Sequence, residues 1–137
     1  MKKGFILILV FGLLIFSACG GGGGNDSSVQ NQSPFEGKWA GIWIDLANHQ
    51  AGTLTLTVTS DGAGSGIIYN TTLALSGSAS GVIDNGGGAN FTYVYPTTTY
   101  TAICTLTINN NGHLTGDCSE YSGTALIGTA AIDLTKM

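Results

Sequence analysis

The stretch Thr53-Leu54-Thr55-Leu56-Thr57-Val58-Thr59 alternates strictly between polar and apolar side chains. A period of two residues places every apolar side chain on one face, which is typical of a half-buried β-strand. The same alternation recurs at 89–95 and 99–109, and no part of residues 34–137 shows a sustained helical period. Gly, Asn, Asp and Pro return about every ten residues, as turns between short strands do.

These patterns predict an all-β domain. The expected strands are 37–46, 51–60, 64–70, 73–83 with an interruption at Gly77, 89–95, 99–109, 112–119 and 124–135. Their even spacing and short connections predict an antiparallel up-and-down meander of eight strands. Such a meander can close into a small barrel, and closure removes exposed sheet edges.

A weak internal repeat supports the predicted hairpins. Residues 55–66 align without gaps on residues 105–116, with five of twelve positions identical. Each copy is interpreted as a strand, a three-residue loop ending in glycine, and a second strand. We therefore expect Gly62 and Gly112 to adopt the left-handed conformation of a bulged hairpin turn.

The amino-terminal segment indicates export. An almost wholly apolar run at 5–16 follows Lys2 and Lys3, and it has the length of a signal-peptide core rather than the ~20 residues of a membrane span. The run ends in Phe16-Ser17-Ala18-Cys19, which resembles the lipobox of bacterial lipoproteins, although that family prefers Leu at the first position. The resemblance implies a lipoprotein signal peptide at 1–18, cleaved before an acylated Cys19. An ordinary secretory signal cut near Ala18 is the alternative.

The next segment lacks the composition of a folded core. Residues 20–33 are glycine-rich and polar, so we interpret 19–33 as an acylated cysteine plus tether and 34–137 as the folded domain. In Gram-negative lipoproteins an Asp after the cysteine favours inner-membrane retention. Gly20 stands there, so the resemblance implies an outer-membrane lipoprotein of the bacterial cell envelope, on its periplasmic or surface face.

Charge narrows the range of partners. The chain has four Lys+Arg, all of them lysines, and eight Asp+Glu. Lys2 and Lys3 would leave with the signal peptide, so two bases against eight acids give the mature chain a net charge of −6. An acidic chain without arginine is a poor nucleic-acid binder, and we expect no nucleic-acid partner.

If Cys19 is lipidated, Cys104 and Cys118 remain as an even pair in an oxidising compartment. With a hairpin loop at 110–112, counting back along both strands places these two cysteines directly opposite each other. Directly opposed residues are close enough for a disulfide, and both cysteines have the inward phase of Leu106 and Leu114. A disulfide is therefore expected. A metal site lacks further ligands, and a redox-active pair lacks the C-x-x-C spacing.

The start of the domain carries a second resemblance. Gly37-Lys38-Trp39 resembles the G-x-W signature of the calycin superfamily, which includes lipocalins and avidins. The resemblance implies that Trp39 plugs one end of the barrel and that Lys136, near the end of the last strand, packs across it. The later tryptophans with which avidins enclose biotin are missing, since Trp39 and Trp43 are the only two. The architecture is therefore expected, and biotin binding is not.

No catalytic motif occurs, and His49 and His113 are isolated beside predicted turns. We expect no enzymatic activity, no cofactor and no metal. Aromatic residues are the informative excess, and they suggest a small neutral or partly apolar ligand bound at the barrel end away from Trp39. The candidate ligand-binding residues are Trp43, Tyr69, Tyr93, Tyr95 and Tyr100. The alternative is a filled barrel that serves as a surface module contacting an envelope protein or glycan. A cavity above about 300 Å³ favours the ligand binder.

Overall fold

The computed structural model describes residues 32–137, so Cys19, the signal peptide and most of the predicted tether lie outside the described residues. Eight strands follow one another along this part of the chain. They are β1 (Gly37–Asp45), β2 (Gln50–Val58), β3 (Ala63–Asn70), β4 (Leu75–Ile83), β5 (Gly88–Tyr95), β6 (Thr98–Ile108), β7 (His113–Ser122) and β8 (Ala125–Lys136). Each strand pairs antiparallel with its neighbour in sequence, and β1 also pairs with β8. The predicted all-β meander and its closure into a barrel are confirmed.

Alternation along each strand sorts side chains between the interior and the outer face. Leu54, Leu56 and Val58 of β2 are buried, while the threonines between them are exposed. Leu106, Leu114 and Leu134 add interior side chains with no exposed surface. The closed barrel thus has one hydrophobic core, surrounded by an outer face with many threonines.

Each strand differs from its predicted bounds by one to three residues at one or both ends, and the differences in β4 and β7 have a structural reason. β4 runs without a break through Gly77, where a Cβ would stand within 3.2 Å of Val94 O and of the Tyr95 ring. Glycine therefore permits close strand packing there instead of ending the strand. β7 extends to Ser122, three residues beyond the prediction, and continues its pairing with β8 through a register shift at Glu120/Tyr121.

The predicted left-handed glycines are confirmed, with φ of 87° at Gly62 and 78° at Gly112. In each turn the glycine N–H donates to the backbone carbonyl oxygen of the residue three positions earlier, at 2.9 Å. The β4–β5 connection repeats the arrangement with Gly87, at φ 89°. These three turns all lie at the barrel end where β1 starts and β8 finishes.

Trp39 fills that end, which we call the closed end. Its side chain is 1% exposed, and its Nε1–H donates to the Phe35 carbonyl oxygen at 2.8 Å. Lys136 Nζ stands 5.5 Å from the centroid of the Trp39 ring, within cation–π range. The chain segment before β1 packs here too, since Phe35 is buried and Ser33 N–H donates to the Ser60 carbonyl at 2.8 Å.

The predicted disulfide is confirmed. Cys104 and Cys118 are direct register partners on β6 and β7, with Cα atoms 4.0 Å apart, and the two sulfur atoms are bonded. Both cysteines are buried in the core. The corresponding pair in the other repeat, Leu54 and Ile68, is also in register and buried. Residues 32–137 include no helix with the length and apolar character of a membrane span.

Candidate functional site

A cavity of about 360 Å³ lies at the barrel end opposite Trp39. We call this end the mouth. It is framed by the connections 46–49, 71–74, 96–97 and 123–124. The cavity wall combines three aromatic residues, three aliphatic residues, two acids and several neutral polar groups. They are Trp43, Tyr95, Tyr100, Leu73, Leu75, Ile127, Asp45, Glu120, Asn48, Gln50, Asn70, Thr98 and Ser122.

Three of the five predicted ligand-binding residues meet in this wall. Tyr95 and Tyr100 come from β5 and β6, and their rings contact edge to face with centroids 6.1 Å apart. Trp43 comes from β1, four residues beyond the plug residue and on the same inward face. Aromatic rings from three strands therefore surround the space.

Trp43 lies against Gly52, its register partner on β2. A Cβ at position 52 would stand 2.6 Å from the indole Nε1 and 1.8 Å from the Tyr69 carbonyl oxygen, so only glycine fits. The Nε1–H is buried without a hydrogen-bond partner in the described part of the chain. The Trp43 ring therefore packs directly against the backbone of Gly52, and its Nε1–H is left as an unsatisfied hydrogen-bond donor, which costs free energy.

Tyr93 lies below the cavity rather than in its wall. Its side chain is buried, and its ring is nearly parallel to that of Phe91, with centroids 6.4 Å apart. Burial, with the nearby Glu120 charge, raises the pKa of Tyr93 far above that of a free tyrosine. Its hydroxyl is therefore neutral at ordinary pH.

Tyr69 faces the outside of the barrel and takes no part in the cavity, which corrects its proposed place in the site. It is 39% exposed, whereas its neighbour Ile68 is buried opposite Leu54. Successive residues of a strand point to opposite faces, so Ile68 in the core forces Tyr69 outward.

Polar side chains hold the mouth connections in place. Asp45 Oδ1 accepts hydrogen bonds from the Ala47 and Asn48 backbone N–H groups, at 2.9 and 3.1 Å. Asp45 Oδ2 accepts one from Asn48 Nδ2 at 2.6 Å, and the same amide donates to the Ile127 carbonyl at 3.2 Å. The β1–β2 connection is thereby fixed to the start of β8.

A second polar pair, Asn70 and Gln50, supports the neighbouring connection. Asn70 Nδ2 donates to Gln50 Oε1 at 2.7 Å, and Asn70 Oδ1 accepts from the Leu73 N–H at 2.9 Å.

The same two connections each contain one residue with left-handed backbone, His49 with φ of 56° and Ala74 with φ of 53°. Such values are uncommon for residues with a Cβ and cost free energy locally.

Glu120 places a titratable carboxyl group in the cavity wall. Its register partners are Ala102 on β6 and Gly128 on β8. Burial, and then the nearby Asp45 charge, raise the pKa of the Glu120 carboxyl above its usual value. Burial, and then Glu120, raise the pKa of Tyr95 to about 12.

The positive charges lie elsewhere. Within residues 32–137 the two lysines, Lys38 on β1 and Lys136 on β8, both lie at the closed end. The mouth is therefore an acidic, partly aromatic cavity with no permanent cation in its wall.

Sequence reasoning missed Asp45 and Glu120 as members of the site. A signal existed for both, because Asp45 shares the inward phase of Trp39 and Trp43, and Glu120 shares that of Cys118. An acid with inward phase at a strand end points into a barrel mouth.

The described residues bring together no group of three or more His, Cys, Asp or Glu side chains suited to a metal. Comparison of the chain with protein-family models, with curated proteins and with solved structures found no match. The class of protein is therefore stated from its architecture: an eight-stranded antiparallel meander barrel, plugged at one end and hollow at the other.

Proposed function

We propose that this protein is a membrane-anchored, extracytoplasmic lipoprotein without enzymatic activity, whose barrel binds a small, partly apolar ligand at its mouth. The observation that carries the proposal is the cavity of about 360 Å³ at the end opposite the Trp39 plug. Its volume lies at the lower end of the 300–1,000 Å³ range typical of small-molecule sites. A barrel filled by its own side chains would leave no such space.

The lining supports a partly apolar ligand. Trp43, Tyr95 and Tyr100 offer flat apolar faces, and a tyrosine can also make a hydrogen bond through its hydroxyl. Neutral amide and hydroxyl groups supply further donors and acceptors around the rim. An anionic ligand is disfavoured, because Glu120 and Asp45 lie in the wall and the lysines lie at the other end.

The geometry is compatible with an anchor at Cys19. The chain reaches β1 along the closed end, where Ser33 bonds to Ser60. A tether to a lipid anchor would therefore join the barrel at the plugged end and would leave the mouth unobstructed. The glycine-rich, polar sequence between Cys19 and this segment is the proposed tether, and about a dozen residues of such a composition span roughly 20 Å root-mean-square, enough to separate the barrel from the bilayer.

Ligand binding is tested with the full-length protein by following tryptophan fluorescence during titration with small aromatic alcohols, beginning with 2-phenylethanol. We expect Tyr100→Ala to weaken binding about tenfold or more, because it removes one aromatic wall. Tyr69→Ala removes the same side chain from the outer face and is the matched control. Binding that survives Tyr100→Ala and Trp43→Phe unchanged would refute a site at the mouth.

The anchor is tested separately by fractionating cells that produce the Cys19→Ser variant. We expect the variant to leave the membrane fraction, because its lipid attachment point is lost. Retention equal to that of the wild type would refute the lipoprotein proposal and would leave the ligand site untouched.

The alternative function is a surface module that contacts an envelope protein or glycan. It is favoured by aliphatic side chains on the outer face that are more than half exposed, namely Ile42, Ile67, Val82 and Ile103. It becomes the leading proposal if no probe enters the mouth.

A further inference from the structure

We propose that the mouth selects small organic cations, with the Glu120 carboxylate as the counter-charge and the Tyr95 and Tyr100 rings as the aromatic walls. The inference deepens the proposed function and rests on it. The ligand class is a protonated amine or another ammonium group attached to a compact apolar body. Such a molecule matches both the charge and the mixed surface of the cavity.

The two acids of the cavity differ in what they can offer a ligand. Both Asp45 oxygens already accept hydrogen bonds from the β1–β2 connection, so Asp45 has a structural role. Within residues 32–137, Glu120 forms neither a side-chain hydrogen bond nor an ion pair; the single ion pair there joins His113 to Asp133. Glu120 is thus the acid that is free to receive a donor.

Glycine beside Glu120 allows the β1–β2 connection to pack close to this acid. Gly128 is the register partner of Glu120 on β8, and a Cβ at position 128 would stand 2.8 Å from Asn48 Nδ2 and 3.1 Å from Asp45 Oδ2. A larger residue there would displace Asn48 and Asp45, which form part of the cavity wall together with Glu120.

The aromatic walls suit a cation as well as an apolar group. A cation within about 6 Å of an aromatic ring centroid is attracted by the negative face of the ring. Tyr95 and Tyr100 stand edge to face, so their ring planes differ by 68° and present surfaces in two directions. An ammonium group near Glu120 would therefore meet aromatic carbon and a carboxylate together.

The ligand-free carboxyl is in an unfavourable environment for its charge. Burial and the Asp45 charge both raise its pKa, so ionisation in the empty cavity costs free energy. A bound cation reverses the sign of the local field and favours the ionised form. Cation binding is therefore expected to lower the pKa of Glu120 and to release a proton in the pH range where the free carboxyl is still partly protonated, and cation affinity should rise with pH across that range.

Other titratable groups must be separated from this effect. Those that line the cavity or lie directly beneath it are Asp45, Tyr93, Tyr95 and Tyr100, and His49 lies on the exposed β1–β2 connection. The raised pKa values of Tyr93 and Tyr95 keep both hydroxyls neutral at ordinary pH, and both Asp45 oxygens accept hydrogen bonds from the β1–β2 connection. His49→Gln therefore serves as the control for any pH effect near neutrality.

The experiment compares three probes of nearly equal size on the full-length protein: 2-phenylethylammonium, 2-phenylethanol and phenylacetate. Dissociation constants are measured by calorimetry at pH 7.5 and again at pH 5. At pH 7.5 we expect the ammonium probe to bind about tenfold or more tightly than the alcohol, the range of a charge-assisted hydrogen bond, and phenylacetate to bind weakest. At pH 5 the advantage of the ammonium probe should shrink.

Two variants identify the responsible charge. Glu120→Gln keeps the side-chain shape and should abolish the ammonium preference while changing alcohol binding less than about threefold. Asp117→Asn removes one charge from the outer face of the same strand and should leave the preference intact. The pH series on the wild type provides a readout that does not depend on either variant folding.

The outcomes separate the two proposals. Equal binding of ammonium and alcohol, or a preference that persists in Glu120→Gln, overturns the cation inference while the ligand-binding function stands. If none of the three probes binds at the mouth, the inference and the proposed function both fail.

Discussion

Gly87 and Gly112 occupy equivalent places in two hairpin turns, yet replacing them with alanine should have very different consequences. Both have left-handed backbone, with φ of 89° and 78°. A Cβ at Gly112 would meet nothing within 4 Å, whereas a Cβ at Gly87 would stand 1.9 Å from the Leu106 carbonyl oxygen. The pair therefore separates the cost of backbone conformation from the cost of steric exclusion.

The magnitudes follow from these contacts. Alanine in left-handed backbone costs about 1–2 kcal/mol, and the lower entropy of the unfolded chain returns about 0.4–1 kcal/mol. Gly112→Ala should therefore lose about 1 kcal/mol. Gly87→Ala must in addition move the turn by more than 1 Å to reach the ~3 Å or more of a normal carbon–oxygen contact. That shift breaks the 2.7 Å bond from the Leu106 N–H to the Gly87 carbonyl, which adds about 1–3 kcal/mol.

Urea unfolding of the oxidised full-length protein, followed by far-ultraviolet circular dichroism, measures both free energies of unfolding. We expect Gly87→Ala to lose about 3 kcal/mol, at least twice the loss of Gly112→Ala. Gly62→Ala should behave like Gly87→Ala, because a Cβ there would stand 2.3 Å from the Ile83 carbonyl oxygen. If the losses at Gly87 and Gly112 agree within about 0.5 kcal/mol, the packing of these turns against the next strand is not what makes glycine necessary.

Three further predictions concern the free energy of unfolding. The Cys104→Ala/Cys118→Ala double variant should lose about 3 kcal/mol in urea unfolding, the chain-entropy value for a separation of 14 residues, and an unchanged midpoint would refute it. The raised pKa of Glu120 means that the folded state binds the carboxyl proton more tightly than the unfolded state does. Protonation of Glu120 therefore stabilises the fold at low pH, and this contribution to the free energy of unfolding is lost as pH rises. Glu120→Gln should consequently gain stability relative to the wild type between pH 4 and pH 7.5, and a gap independent of pH would contradict the argument. Ala74→Gly should be neutral or stabilising by up to about 1 kcal/mol in thermal unfolding, whereas Ala79→Gly, at a buried strand position, should destabilise.

Most of the fold could be predicted from the alternation of apolar and polar side chains along each strand. Strict alternation and the hairpin loop at 110–112 placed Cys104 opposite Cys118, and that pair is in register, as are the corresponding residues Leu54 and Ile68 in the other repeat. Local turn chemistry sufficed at the closed end, because the three hairpin connections there are short and each ends in a left-handed glycine. Register along a meander then propagates from turn to turn.

The alternation of inward and outward side chains along a strand also excludes Tyr69 from the site and includes Asp45. Tyr69 has the residue type of a ligand-binding side chain, but its neighbour Ile68 has the inward phase, so Tyr69 points outward. The extension of β7 was less accessible to sequence reasoning. A register shift at Glu120/Tyr121 changes the pairing of that strand with β8, and no Gly or Pro marks the position.

The two ends of the barrel use backbone conformation differently. At the closed end Gly62, Gly87 and Gly112 supply every left-handed turn residue, so the turns form without Cβ strain. At the mouth, left-handed backbone falls on His49 and Ala74, and Gly123 is the only glycine with positive φ among the mouth connections.

The hydrogen bonds of Asp45 and Asn70 offset the strain at the mouth, since each caps the connection that contains one strained residue. Their side chains therefore do two things at once: they hold a costly loop conformation and form part of the cavity wall. Strained backbone held by surrounding contacts is a recurrent property of binding sites. The two ends of the barrel thus differ in role. The closed end has tight glycine turns and the Trp39 plug, which stabilise the fold. The mouth has capped, strained connections around the cavity, where we propose that a ligand binds. A substitution that relaxes a mouth connection should raise stability, and any accompanying change in probe affinity would show that the strained conformation shapes the site.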